Sequence, residues 1–159
     1  MSIRVASEGD EGVLLALIME LAEYERLSEH VTADAEDLRR MFFVEKKGNA
    51  VICEASGGAI GFATYFFNLS TFAGRPGLYI EDLYVRPEHR GKGVGKSIMS
   101  HLAKIALDGG CMRMDWSVLD WNVSSISFYD SIGARKTKDW IPYRISGKAM
   151  KDLADGCDD

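Results

Sequence analysis

Arg90-Gly91-Lys92-Gly93-Val94-Gly95-Lys96-Ser97 is the stretch on which the fold turns. An apolar strand pattern, Leu78 to Val85, precedes it. A helical one, Ser97 to Leu107, follows, with Ile98, Met99, Leu102, Ile105 and Ala106 on one side. Glycines let the backbone approach a ligand closely, and N–H groups at a helix N-terminus attract anions. A P-loop is incomplete here: Gly95-Lys96-Ser97 supplies its end, but Arg90 stands where the first glycine belongs. A dinucleotide fingerprint is incomplete too, because Lys96 stands at the third glycine position. A third pattern, [RQ]-x-x-G-x-[GA], is met by Arg90, Gly93 and Gly95. Read alone, the segment is equally a flexible turn ahead of a helix. Four Lys/Arg between residues 86 and 96 (Arg86, Arg90, Lys92, Lys96) against Glu88 favour an anionic ligand.

Working outward, Ser2 to Ala6 reads as a short strand, and Ser7 with Asp10 as a capping box opening a helix. Leu14, Leu17, Ile18, Leu21 and Ala22 give that helix one apolar face. A second helix is expected after Thr32, through Leu38 towards Phe43. Ala50–Ala55 and Ile60–Phe67 read as a hairpin about Ser56-Gly57-Gly58. Gly109-Gly110 stops the helix after the loop, and Met112–Val118 is the next strand. Asn122 caps a short helix ending at Gly133. Strands are expected at Ala134–Lys138 and Ile141–Ile145, with a frayed tail after Lys151. A strand–helix–strand crossover implies one parallel pair in an otherwise antiparallel sheet.

The chain has 159 residues and a net charge of -5, from 24 Asp+Glu and 19 Lys+Arg. That length makes one domain, residues 1–159. At 47% hydrophobic residues there is enough apolar surface to offset chain entropy, which excludes a disordered chain. The acidic balance argues against nucleic acid, whose binding rests on phosphate neutralisation. The longest apolar run, Val13 to Met19, is too short to span a membrane. Three cysteines, Cys53, Cys111 and Cys157, show neither zinc spacing nor close pairing, and the three histidines are scattered. A reducing, cytoplasmic setting without a metal is expected.

Two further segments accompany the loop. Leu78-Tyr79-Ile80-Glu81-Asp82-Leu83-Tyr84-Val85 precedes it; Trp121-Asn122-Val123-Ser124-Ser125-Ile126-Ser127-Phe128-Tyr129, then Gly133-Ala134, follows. Together they resemble the GNAT N-acetyltransferases, and within them the diamine (spermidine/spermine) and thialysine acetyltransferase branch. Tyr24-Glu25 resembles that branch as well. The resemblance implies an α+β fold: a mostly antiparallel twisted sheet with one splayed parallel pair and helices on both faces. It implies acetyl-CoA as co-substrate, with pantetheine held by the strand Leu83-Tyr84-Val85, where the Leu83 N–H polarises the thioester carbonyl. Arg90, Gly91, Lys92, Gly93, Val94, Gly95 and Lys96 would hold the pyrophosphate, and Asn122 and Ser125 would contact the pantetheine arm. The alternation Leu78, Ile80 also changes phase to Leu83, Val85, which a β-bulge at Glu81-Asp82 would produce.

Acetyl transfer to an amine meets a proton problem. An alkylammonium of pKa near 10.4 is not a nucleophile at pH 7, and supplying its free base costs about 4–5 kcal/mol. Glu81, a carboxylate among apolar strand residues, is the candidate base, with Asp82 binding the cation or fixing the strand. A solvent-facing charge is the plain alternative for Glu81. Tyr129 is the candidate acid for the departing thiolate; by periodicity alone Phe128 and Tyr129 are core aromatics, and the motif around them argues otherwise. Retention of Glu81 and Tyr129 disfavours the other reading of the fold, a non-catalytic CoA-binding regulatory module.

Tyr24, Glu25, Asp82 and Trp140 are the expected acceptor contacts. Polyamine-acetylating relatives carry extra acids where this chain has Ser70 and Lys138. The favoured acceptor is therefore a small amine or ω-amino acid of the thialysine/lysine-analogue type, with a polyamine as the alternative. By resemblance the protein is a homodimer.

Overall fold

The computed structural model describes residues 1–138 and 140–156. Contacts divide the chain into two compact units, Met1–Asp120 and Trp121–Asp159. The first unit holds β1 (Ser2–Val5), α1 (Glu11–Glu25), α2 (Ala35–Arg39), β2 (Asn49–Ala55), β3 (Gly58–Ser70), β4 (Arg75–Val85), α3 (Val94–Asp108) and β5 (Met114–Trp116). The sheet order is β1-β2-β3-β4-β5. Each neighbouring pair is antiparallel except β4 and β5, which run parallel. The α3 crossover makes this arrangement possible, since parallel strands cannot be joined by a tight turn.

Consecutive strand residues point to opposite faces, and both faces are covered. Leu14 and Leu17 of α1, Leu38 of α2 and Phe42 pack against Ala50, Ile52, Phe62 and Tyr84. The other face meets α3, whose Ile98 and Leu102 are fully buried. Gly61 shows how closely α3 approaches: a Cβ there would lie 2.7 Å from the Tyr84 carbonyl and 3.4 Å from Ile98 Cδ1. The β2–β3 hairpin turns on Gly57 and Gly58, both at positive φ, as its sequence anticipates.

Several local expectations are corrected. The N-cap of α1 is Asp10, but its carboxylate makes no cap bond. It accepts the Ser7 N–H at 2.8 Å and two Arg4 N–H groups at 2.7 and 2.8 Å. The capping box lies instead at α2, between Asp34 and Asp37. That helix is short and widens into a π-turn over Arg40–Val44. Helix α3 opens at Val94, three residues earlier than expected, and β5 is only three residues long.

The second unit holds α4 (Val123–Ser131) and α5 (Gly147–Asp155). Among the described residues of 134–138 and 141–145 there is no strand. Strands need partners, and this unit offers none among its described residues. The tail expected to fray forms α5, braced by Lys148 and Asp152 at 2.6 Å on adjacent turns.

Candidate active site

The β3–β4 ladder pairs Tyr65 with Ile80 and then Thr64 with Asp82, passing over Glu81. Glu81 is thus the extra residue of a β-bulge, as the phase change in the sequence anticipates. Directly opposed residues share a face. Phe62 and Tyr84 face α1, so Thr64 and Asp82, two residues along each strand, face it too. Tyr79 pairs with Phe66 on that same side, and regular alternation from Tyr79 carries Glu81 there as well. Both carboxylates therefore project from one side of the sheet, which an unbroken strand forbids.

The bulge also marks where β4 parts from its parallel neighbour. Pairing with β5 runs from Leu78–Met114 to Ile80–Trp116, and β5 ends there. The backbone edge of Leu83, Tyr84 and Val85 lies beyond that last rung. Past that rung β4 has no strand partner on its β5 side among the described residues.

Acidic groups converge on the α1 side. Asp82 is half-buried and accepts a hydrogen bond of 2.5 Å from the Thr64 hydroxyl. Burial pushes its carboxyl above the usual range, with the Thr64 bond pulling the other way. Glu25, at the end of α1, is also pushed up, by burial first and then by the negative charge of Asp82. Glu25 therefore senses the charge of Asp82, while Glu81 is exposed. Thr64, only 3% exposed, carries no expectation from sequence. Its signal was a hydroxyl residue in the apolar run Ile60–Tyr65, but β-branched Thr is also an ordinary strand former.

The glycine loop ends at the N-terminus of α3. Gly91 and Gly93 have φ of 72° and 81°, a conformation that favours glycine, and Gly93 is the N-cap. By helix geometry the N–H groups of Val94, Gly95 and Lys96 lack intrahelical acceptors, which leaves a cradle for oxyanions. Lys92 and Lys96 are exposed beside it. The other two cations of the segment are directed elsewhere. Arg86 grips Glu20 of α1 at 2.7–3.2 Å and donates to the Ala59 carbonyl at 2.8 Å. Arg90 donates from Nε to the Val85 carbonyl at 2.7 Å, and its guanidinium lies 4.4 Å from the Tyr24 ring centre and 5.5 Å from that of Tyr84. The basic surplus expected of the loop is thus carried by Lys92 and Lys96. Tyr24 joins Arg90, and any donor to the Val85 carbonyl shares it with Arg90.

In the second unit, Asn122 is buried and caps α4 by accepting the Ser125 N–H at 3.2 Å. Tyr129 is part-buried on that helix, its ring 5.3 Å from Phe128. The Ala134 N–H closes the turn onto the Tyr129 carbonyl at 3.1 Å, across Gly133 at φ 88°. Trp140 is 84% exposed. No group of three His, Cys, Asp or Glu suited to a metal occurs among the described residues. No described helix is long and apolar enough to cross a membrane.

Comparison with known proteins bears on this geometry. The acetyltransferase (GNAT) family model matches residues 14–134. A thialysine N-epsilon-acetyltransferase of Bos taurus is 42% identical over 164 aligned positions, spanning 96% of both chains. An L-ornithine N5-acetyltransferase of Arabidopsis thaliana is 38% identical over 116 positions, 73% of this chain and 48% of its own. Among solved structures, an integron cassette protein of V. cholerae superposes with a TM-score of 0.80 at 30% identity, covering 97% of this chain and 98% of that one.

Proposed function

The chain belongs to the GNAT acetyltransferase family, and from that premise we propose that it moves an acetyl group from acetyl-CoA to the primary amine of a small cationic amine or ω-amino acid. The supporting observation is the bulge at Glu81, which turns two consecutive carboxylates to one side of β4 at the point where β5 ends. The relatives named for thialysine and ornithine acetylation point to the same acceptor class, a side-chain ammonium on an amino-acid frame. A polyamine is the second candidate.

In this reading Glu81 takes the ammonium proton, directly or through water. The free amine attacks the thioester carbonyl carbon, and the Leu83 N–H receives the developing oxyanion. Collapse breaks the C–S bond and Tyr129 gives its proton to the departing thiolate; the second nitrogen proton passes through water to the tyrosinate and Glu81 releases the first to solvent, giving the N-acetyl product and free CoA. Asp82 and Glu25 hold the acceptor cation, with Tyr24 and Trp140 as further contacts. The N–H cradle of α3 with Lys92 and Lys96 holds the pyrophosphate, and Asn122 and Ser125 guide the pantetheine arm. The roles of Tyr129, Asn122 and Ser125 rest on their motif. Residues 1–159 are read as one domain because the family match crosses the boundary at residue 120.

Three further expectations complete the proposal. The protein works in the cytoplasm, consistent with its free, buried Cys53 and Cys111. It forms a homodimer, by resemblance to its branch. It has no nucleic-acid partner, in keeping with its net charge of -5.

The decisive experiment follows thiol release from acetyl-CoA across thialysine, lysine, ornithine, diaminopropane and spermidine. Turnover with an ω-amino acid above that with spermidine supports the acceptor assignment. Preference for spermidine overturns it. A thermal-shift series with CoA and ATP tests the donor: stabilisation by CoA alone is the expected result.

A further inference from the structure

We infer that Thr64 is a positioning residue for the acceptor site, holding the Asp82 carboxylate ionised and oriented to grip the amine's positive charge. The inference rests on the reading of Asp82 as a cation contact and adds to it a residue on another strand. The ladder sets Thr64 directly opposite Asp82, and that registry exists only because the bulge absorbs Glu81. With 3% exposure, Thr64 lies in a stretch, Ile60–Tyr65, that is buried throughout. Packing alone would be served there by valine, which has the same branched shape. A hydroxyl at such a position needs a partner, and its partner is Asp82 Oδ2 at 2.5 Å.

The chemistry follows from the neighbours. Asp82 is flanked by Glu25 from α1 and Glu81 on its own strand, and its burial favours protonation. A protonated Asp82 would not attract an ammonium. The Thr64 hydroxyl donates to the carboxylate and offsets that pressure, leaving Oδ1 for the acceptor. Hydrogen bonds to charged groups are the strong ones.

The test uses Thr64→Val, Thr64→Ser and Asp82→Asn, with kcat and the amine KM measured from pH 6 to 9 at saturating acetyl-CoA. Thr64→Val is expected to raise the amine KM about 10-fold or more, change kcat far less, and move the acid limb of kcat/KM to higher pH. Thr64→Ser is expected to restore both. A packing role predicts neither the KM-selective loss nor the moved limb. Should Thr64→Val not fold, Thr64→Ala removes the same hydroxyl, and amine binding by calorimetry gives the same comparison with Thr64→Ser. If Asp82→Asn weakens the amine while the hydroxyl-deleted variant keeps wild-type KM and pH profile, the role of Thr64 is overturned and the acceptor reading stands. If Asp82→Asn leaves the amine KM unchanged, the acceptor reading fails and this inference falls with it.

Discussion

Glu81 and Asp82 follow one another in β4, yet both project towards α1, because Glu81 is the residue that the β3–β4 ladder passes over. The two carboxylates nevertheless sit in different surroundings. Glu81 is exposed at the bulge, whereas Asp82 is half-buried and fixed by Thr64. An exposed carboxylate can exchange its proton with solvent between turnovers; a buried, hydrogen-bonded one is suited to holding a charge.

That difference assigns separate kinetic signatures. Glu81→Gln is expected to lower kcat by about 10²–10⁴-fold, the range for loss of a positioned base. Tyr129→Phe is expected to lower kcat by about 10–10⁴-fold, since water can partly replace the phenol as acid. Steady-state kinetics with saturating amine checks both, and near-normal turnover in either variant would sink the role given to that residue.

The cations between residues 86 and 96 divide in the same way. Lys92→Ala and Lys96→Ala are expected to raise the acetyl-CoA KM several-fold, with a smaller effect at high salt, because exposed charges are screened. Arg86→Ala is expected to leave the acetyl-CoA KM unchanged and to lower Tm by about 2–4 °C, the response of a chain this size to ~1 kcal/mol. Its guanidinium is committed to Glu20 and the Ala59 carbonyl. An acetyl-CoA defect in Arg86→Ala would return that residue to the donor site.

Much of this site could be read from local pattern. The phase change between Ile80 and Leu83 locates the bulge, and Gly91 and Gly93 locate the backbone that only glycine adopts readily. What escaped the sequence depends on residues far apart in the chain. Arg86 meets Glu20 at a separation of 66 residues, and Asp10 leaves its capping role for Arg4, which Glu54 also grips. Thr64 meets Asp82 only through the ladder. The strands expected at Ala134–Lys138 and Ile141–Ile145 would also need a partner, which local pattern does not supply.

Glu25 and Asp82 make the acceptor end sensitive to pH. Both carboxyls are raised, so they protonate earlier than ordinary ones as pH falls. Amine affinity is therefore expected to fail at a pH above the usual carboxylate range, seen as an acid limb in kcat/KM. Stability moves the opposite way. A raised folded pKa favours the folded state below the unfolded pKa, and that contribution is lost as pH rises through the folded value. Asp82→Asn or Glu25→Gln is thus expected to raise Tm near pH 7.5 by about 2–4 °C, as ~1 kcal/mol would, with no gain near pH 3. A lower Tm at pH 7.5 in both variants would contradict the raised state of these two half-buried carboxyls.

Asp10 supplies the contrasting case. Two hydrogen bonds from Arg4 hold its carboxyl at about 2, below the reference 3.8, and its side chain is only 13% exposed. A depressed folded pKa stabilises the fold above the unfolded value, and that stability disappears as pH falls through the folded one. Asp10→Asn is therefore expected to destabilise the protein by about 2 kcal/mol at pH 7, measured by urea unfolding. The gap between variant and wild type should narrow as pH falls from 5 towards 2. The same pair ties β1 to the start of α1, so the loss should appear as a lower midpoint with an unchanged urea slope. A gap constant down to pH 2 would mean that Asp10 acts through packing, not through its charge on Arg4.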